Sequence, residues 1–169
     1  MKDKHTAIHE AGHATAHARL GIDQGMTTIV PNYENETLGA VQAEGAAHAY
    51  TKEEAENHVI AYCAGYAALI VNGCSGKEAL LGTDGDFENA EDLIKLWQLD
   101  PLEAWKQKTV NFLSEESNKR VTERISAELL KAKTLDLDDI EFLVDIADGE
   151  ATEDDYEEFK SARQRFQGG

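Results

Sequence analysis

Two histidines and a glutamate near the start of the chain are spaced as in a zinc-hydrolase motif. Residues 9–13 read His-Glu-Ala-Gly-His, which matches the pattern His-Glu-x-x-His. Residues four apart share one face of an α-helix, so His9 and His13 can direct their imidazoles at one zinc ion, at about 2.0–2.1 Å. Glu10 then stands beside the metal, where a carboxylate can take a proton from zinc-bound water and pass it to the leaving amine. We therefore expect a hydrolase of peptide bonds with Glu10 as its catalytic base.

The same spacing also has a purely structural interpretation, because two histidines one helical turn apart can be ordinary surface or core residues. The small residues favour the metal site. Ala11 and Gly12 allow the back of this helix to lie close against a neighbouring element. The pattern predicts a helix over residues 3–20, ended by Gly21.

Length and charge limit the classes of partner. The chain has 169 residues and a net charge of −17. We expect a zinc peptidase core over residues 1–100, and a C-terminal helical part of the same domain over residues 101–169. An acidic surface argues against nucleic-acid binding and against docking on anionic lipid.

The longest apolar stretch, residues 59–71, is shorter than the ~20 residues needed to cross a bilayer, so we expect a buried helix and no membrane segment. The N-terminus has no signal-peptide pattern, and a cytoplasmic location is the expectation. Cys63 and Cys74 lack metal-binding or redox spacing and are expected to be free thiols.

The remaining pattern predicts a mainly α fold with a small antiparallel β element. A β-branched run at residues 26–30 is followed, after a polar turn, by residues 37–42, and the two are expected to form antiparallel strands. A Thr51–Glu54 capping box starts a helix that continues to Val71. Another helix is expected over residues 86–99, and further helix starts are predicted at Asp100, Asp136 and Thr152.

A catalytic zinc usually has three protein ligands, so a third must come from elsewhere in the chain. The position six residues after His13 is Arg19 rather than histidine, which excludes a metzincin. The apolar helix at residues 59–71 contains no carboxylate. The carboxylates that open the next helix remain as candidates: Asp84, Asp86, Glu88 and Asp92.

In order along the chain, several stretches resemble the protease domain of FtsH-type ATP-dependent zinc metalloproteases. They are residues 9–14, 28–31 and 38–41, the Ala64-Gly65 pair, and residues 82–87. The resemblance covers about residues 5–100. It implies an FtsH-protease-like zincin domain with Zn²⁺ as cofactor, in which Asp86 is the third ligand.

Two departures from that family stand out. Tyr66 and Leu69 occupy positions where the family usually carries an arginine and a glutamate, so any polar interaction made by those two side chains is missing. The 169 residues also contain no phosphate-binding loop pattern Gly-x-x-x-x-Gly-Lys-Ser/Thr, and the family's ATPase module and membrane segment are absent from them. The resemblance therefore concerns the peptidase part alone, and ATP-driven unfolding is not expected of it.

We expect an endopeptidase that cleaves short peptides or unfolded polypeptides, held by backbone pairing along an edge strand. The predicted substrate-binding strand consists of Leu38, Gly39, Ala40, Val41 and Gln42. Two alternatives remain open: a binding or regulatory module on the same fold, and a peptidase subunit that needs a separate ATPase partner. An oligomer is also compatible with the sequence.

His5 and His17 continue the row of His9 and His13 at four-residue intervals. One zinc ion cannot reach all four, because the helix rises about 6 Å over each interval. We interpret His5 and His17 as solvent-facing or outer-shell residues.

Overall fold

The computed structural model describes residues 2–31, 40–41 and 51–167. This part of the chain forms eight helices and three short strands. In chain order they are α1 Lys2–Leu20, β1 Thr27–Thr28, β2 Ala40–Val41, α2 Lys52–Val71, α3 Gly76–Ala79, α4 Asp84–Trp97, α5 Leu102–Ser114, α6 Glu116–Ala132, β3 Thr134–Leu135, α7 Leu137–Asp148 and α8 Glu153–Gln167. The predicted fold class, mainly helical with a small antiparallel sheet, is confirmed at this level.

Helix α1 ends where the sequence predicts. Gly21 has φ +66°, in the left-handed region that a residue without a side chain adopts most easily. The Ile22 N–H then donates to the His17 carbonyl at 3.0 Å, which closes the last turn. The helix directs the following chain into strand β1.

Helix α2 begins at the predicted capping box. The Glu54 N–H donates to Thr51 Oγ1 at 3.1 Å, and the Thr51 N–H donates to Glu54 Oε2 at 2.9 Å. These two bonds satisfy donors that have no partner within the helix. Small buried residues occupy the middle of α2: Ala61, Ala64, Gly65, Ala67 and Ala68.

Helices α1 and α2 approach closely because both carry small residues where they meet. A Cβ placed on Gly12 would lie 2.6 Å from the Ala68 Cβ, closer than two carbon atoms can pack. Helix α1 also packs on α6, and α2 packs on α4 and α5. Elements from beyond residue 100 therefore lie directly against the first two helices. The division of the domain into a peptidase core and a C-terminal helical part at residue 100 stays a prediction.

The three strands form one sheet in the order β2-β1-β3, with antiparallel pairing throughout. Thr27 pairs with Val41 on one side and with Leu135 on the other. The antiparallel pairing of the two predicted strand regions is confirmed for these residues. Strand β3 was not predicted, because two residues between helices carry no periodic signal. Among the strands that the structure describes, β2 lies at an edge.

Two predicted helix starts differ from the structure. Helix α4 begins at Asp84, two residues before the predicted position. Asp100 does not cap α5, since Pro101 occupies the N-cap position with extended backbone and the Asp100 carboxylate accepts from Lys108 Nζ at 3.0 Å. Asp100 therefore lies one residue before the N-cap. Within the described ranges, no helix combines the length and apolar character that a membrane crossing requires.

Candidate metal centre

Helix α1 presents His9 and His13 on the same face, one turn apart. Their rings meet edge to face with centroids 4.7 Å apart, and the two Nε2 atoms lie 3.0 Å from each other. Both residues are at least nine-tenths buried. The helical spacing therefore produces the convergence of two imidazole nitrogens that the sequence predicts.

Asp86 joins the two histidines from the first turn of α4. Its Oδ2 atom lies 3.3 Å from His9 Nε2 and 3.3 Å from His13 Nε2. The other three carboxylates that the sequence left open are exposed on the same helix: Asp84, Glu88 and Asp92. The structure thus brings Asp86 to the histidines.

The three atoms are spaced as ligands of one tetrahedral metal ion would be. With metal–ligand distances of about 2.0–2.1 Å, neighbouring ligand atoms of a regular tetrahedron lie roughly 3.3–3.4 Å apart. The three separations, 3.0, 3.3 and 3.3 Å, are close to that edge length. Two imidazoles with one carboxylate are also a donor set that zinc accepts. The residues present fit the metal.

The hydrogen bond on the far side of His13 leaves the correct nitrogen available. His13 Nδ1 lies 2.8 Å from the Ala61 carbonyl oxygen, which can only accept, so Nδ1 carries the hydrogen. In the neutral ring Nε2 then has a free electron pair directed into the cluster. The sequence motif gave no sign of this α2 carbonyl.

Positive charge is attracted to the cluster even without a metal. Burial acts to lower the pKa of His13, but Asp86, Glu10 and the Ala61 carbonyl outweigh it and raise that pKa to about 9. Burial acts to raise the pKa of Asp86, yet the two imidazoles hold it well below its usual range. A proton on His13 and a metal ion are therefore competing ways to satisfy the same three atoms.

Gly65 of α2 makes room for both rings. A Cβ on this residue would lie 2.6 Å from His13 Nε2 and 2.6 Å from His9 Nδ1. His9 Nδ1 is buried and has no hydrogen-bond partner among the residues described. The His9 ring is thus positioned by packing against this glycine and by the Asp86 contact at its Nε2 atom.

Glu10 is buried beside the cluster, with 6% of its surface exposed. Burial raises the pKa of its carboxyl group to about 7; His13 acts against this shift and Asp86 adds to it. The Glu10 carboxyl group therefore interacts electrostatically with both His13 and Asp86. Its position next to His9 on α1 is the one that the motif predicts.

Part of the predicted substrate strand is described. Ala40 and Val41 form β2, which packs beside α1 and pairs with β1. Leu38, Gly39 and Gln42 lie outside the described residues. The described part of the strand is thus an edge strand next to the helix that carries both histidines.

The two positions that depart from the FtsH-type pattern are filled by packing. Leu69 is fully buried, and the Tyr66 ring meets the Phe87 ring edge to face, with centroids 5.7 Å apart. Lys106 Nζ lies over the Tyr66 ring at 4.6 Å. Apolar and cation–π contacts therefore occupy the two positions where the FtsH-type family usually carries an arginine and a glutamate.

The two outer histidines do not join the cluster. His5 Nε2 lies 3.0 Å from the Glu78 carbonyl oxygen, where it can donate. His17 is not solvent-facing, because only 7% of its surface is exposed. Its neighbours include the Asp23 backbone beyond the end of α1 and His58 on α2, and no local sequence pattern could reveal the second of these.

Comparison with known proteins adds no identification. No protein-family model matches the chain, and no curated protein matches it.

Proposed function

We propose that this protein is a zinc-dependent endopeptidase of the FtsH-protease-like zincin type. The observation that carries the proposal is the convergence of His9 Nε2, His13 Nε2 and Asp86 Oδ2 beside a buried Glu10. His9, His13 and Asp86 would hold the ion. When bound, zinc would supply Lewis-acid chemistry, activating water and polarising the scissile carbonyl.

Glu10 would move the proton. Its carboxylate oxygen accepts a proton from the attacking water and delivers it to the nitrogen of the cleaved peptide bond. Two structural features support this role: the carboxylate stands next to a ligand position on α1, and it is shielded from bulk water. His13 would stay in the correct tautomer through its bond to the Ala61 carbonyl.

Substrates would be flexible polypeptides. An edge strand binds a peptide through main-chain hydrogen bonds, and folded proteins rarely expose an extended backbone segment for such pairing. The edge position of Ala40 and Val41 supports this arrangement. We therefore propose cleavage of short peptides and unfolded chains with little sequence preference.

The deciding experiment measures metal content and peptide hydrolysis together. We expect the purified protein to bind about one zinc and to cleave unfolded casein, and a chelator to stop the cleavage. Asp86→Ala should lose the metal, whereas Asp84→Ala, the same change two residues earlier on the same helix, should retain it. Equal metal loss in both variants would overturn the assignment of Asp86.

The same assay distinguishes the alternatives. Zinc binding by the wild type without any cleavage would favour a binding or regulatory module. Cleavage that appears only after addition of a co-purified ATPase would favour a peptidase subunit. Absence of bound metal would leave a His13–Asp86 ion pair as the function of the cluster and would refute the proposal.

A further inference from the structure

A cavity separate from His9, His13 and Asp86 lies between the end of α1 and one face of α7. Its volume is about 670 Å³, within the range of roughly 300–1,000 Å³ that is usual for small-ligand sites. The wall from α1 and the following segment includes His17 and Gln24, and the α7 wall includes Leu137, Glu141 and Asp145. The space is large enough for a side chain or a small organic molecule.

Two buried polar atoms at this cavity, one on His17 and one on Gln24, have no hydrogen-bond partner within the described ranges. His17 and Gln24 are each 7% exposed. His17 Nδ1 and Gln24 Oε1 make no hydrogen bond to any residue within the described ranges. Because an unpaired buried polar atom costs about 1–3 kcal/mol, such atoms are usually satisfied by something. An amide oxygen can only accept, so the missing partner of Gln24 Oε1 is a hydrogen-bond donor.

The charges around the cavity are all negative. Asp23, Glu141 and Asp145 line it, and none of them forms an ion pair with a cation in the described part of the chain. Arg19, on the same helix as His17, is already engaged by both carboxylate oxygens of Asp148. Burial lowers the pKa of His17 to about 4, so this ring adds no positive charge near neutral pH.

The backbone at the end of α1 also adds negative charge to the cavity. Ala18 and Gly21, at the C-terminal end of α1, also line the cavity. The C-terminal end of a helix carries a partial negative charge and favours cations. Leu137 adds an apolar surface that is 40% exposed and can contact an alkyl chain.

We propose that this cavity binds an organic cation, an alkylammonium or guanidinium group on an aliphatic stem. The group comes either from a basic side chain of a polypeptide or from a free polyamine, since both present the same chemistry. Glu141 and Asp145 bind the charge, Gln24 Oε1 accepts a hydrogen bond, and Leu137 contacts the stem. The inference uses none of the metal-centre residues and stands independently of the proposed function.

The test is a titration followed by nuclear magnetic resonance of the Gln24 side-chain amide. The probes are a blocked Gly-Arg-Gly tripeptide, the same tripeptide with neutral citrulline in place of arginine, spermidine, and Ca²⁺ alone. We expect saturable binding of the arginine peptide or of spermidine, and none of the citrulline peptide. The tighter of the two cations identifies the source. Equal binding of the citrulline peptide, or binding of Ca²⁺ alone, would overturn the proposal.

Variants locate the site. The double variant Glu141→Gln, Asp145→Asn should bind the cation at least about tenfold more weakly, because both charges are removed without a change of shape. Asp138→Asn, an exposed carboxylate on the same helix outside the cavity, is the matched control and should bind normally. Unchanged binding in the double variant would refute the assignment.

The variant Gln24→Leu tests the contact of Gln24 with the cation in a protein that should still fold. The substitution removes an unpaired buried oxygen, so thermal stability should be unchanged or higher. Cation binding should nevertheless weaken severalfold. Zinc content should stay the same in every variant, which separates this proposal from the metal centre. Stronger stability together with unaltered cation binding would show that Gln24 is only a packing residue and would contradict the proposed contact.

Discussion

Glu10 and Glu88 are the same side chain in opposite surroundings. Glu10 is 6% exposed and interacts with His13 and Asp86, whereas Glu88 is exposed on α4. Only Glu10 is placed to act on a molecule bound at His9 and His13. The chemical assignment of this site therefore depends on the environment of one carboxylate rather than on the number of carboxylates nearby.

Glu10→Gln should abolish peptide hydrolysis and leave zinc bound. The amide keeps the size of the side chain but cannot accept the proton, and proton transfer by a positioned group contributes typically about 10²–10⁴-fold to the rate. The rate is measured with an unfolded fluorogenic substrate, and the metal content of the same sample is determined. Glu88→Gln is the control and should hydrolyse at the wild-type rate. Near-normal turnover of Glu10→Gln would refute the catalytic role.

At the scale of elements, the contact between α1 and α2 positions the cluster. Gly12 belongs to α1 and Gly65 to α2. A Cβ added to Gly12 would lie 2.6 Å from the Ala68 Cβ, and one added to Gly65 would lie 2.6 Å from His13 Nε2. Gly12 faces the backbone and side chains of α2, while Gly65 faces the two imidazoles. The same small-residue pattern thus serves packing at one position and ring placement at the other.

Gly65→Ala should weaken zinc binding at least about tenfold, with the helices still folded. The added methyl group would lie 2.6 Å from His13 Nε2, so the rings must rotate away from the ligand position. Zinc affinity is measured by competition with a chromophoric chelator, and helix content by circular dichroism.

Gly85→Ala provides the matched control for that measurement. This glycine precedes Asp86, and an added Cβ would meet nothing within 4 Å. The change should preserve zinc affinity and stabilise α4 slightly, because alanine is favoured over glycine in helices by up to about 1 kcal/mol. Equal losses of affinity in the two variants would mean that Gly65 does not position the rings.

Helices α7 and α8 are joined by an ionic network around Arg163. Its guanidinium donates to Asp136 Oδ2 at 2.6 Å and to Asp139 Oδ1 at 2.8 Å. The Asp139 side chain is only 5% exposed, and Tyr156 also donates to it, at 3.1 Å. Removal of Arg163 would leave a buried carboxylate without its counterion.

Arg163→Gln should lower the free energy of unfolding by about 2–3 kcal/mol near neutral pH. Burial acts to raise the pKa of Asp136, but the Asp139 N–H and Arg163 lower it overall. A carboxyl group with a lowered folded pKa stabilises the fold above its unfolded pKa of about 4, and this contribution is lost as pH falls toward the folded value.

The difference in the free energy of unfolding between wild type and Arg163→Gln should accordingly shrink on acidification below pH ~4. It is measured by urea unfolding at neutral and acidic pH. Arg165→Gln is the control and should cost much less. Within the described ranges, the one hydrogen bond of Arg165 goes to the Ser161 carbonyl on its own helix. A difference that grows on acidification would contradict the ionic explanation.

At the scale of the whole molecule, the features that could be predicted are those formed by residues close together in the sequence. The His9–His13 pair and the capping box at Thr51 involve residues three or four apart, so they could be predicted from spacing alone. Local spacing left four carboxylates open as third ligand, and only the packing of α4 on α2 brings Asp86 to the histidines. Strand β3 and the cavity beside α7 likewise join segments distant in the chain. No local pattern encodes them.

The proposed metal centre connects α1 to α4, two helices that both pack on α2. Zinc should therefore stabilise the whole fold, by about 2.7 kcal/mol when free zinc is at 100 times its dissociation constant. Thermal unfolding is compared with zinc and with a chelator. The wild type and Asp84→Ala should show the zinc-dependent rise in melting temperature, and Asp86→Ala should lose most of it. A full rise in Asp86→Ala would place the bound zinc elsewhere, and no rise in the wild type would mean that the three atoms are satisfied by a proton instead.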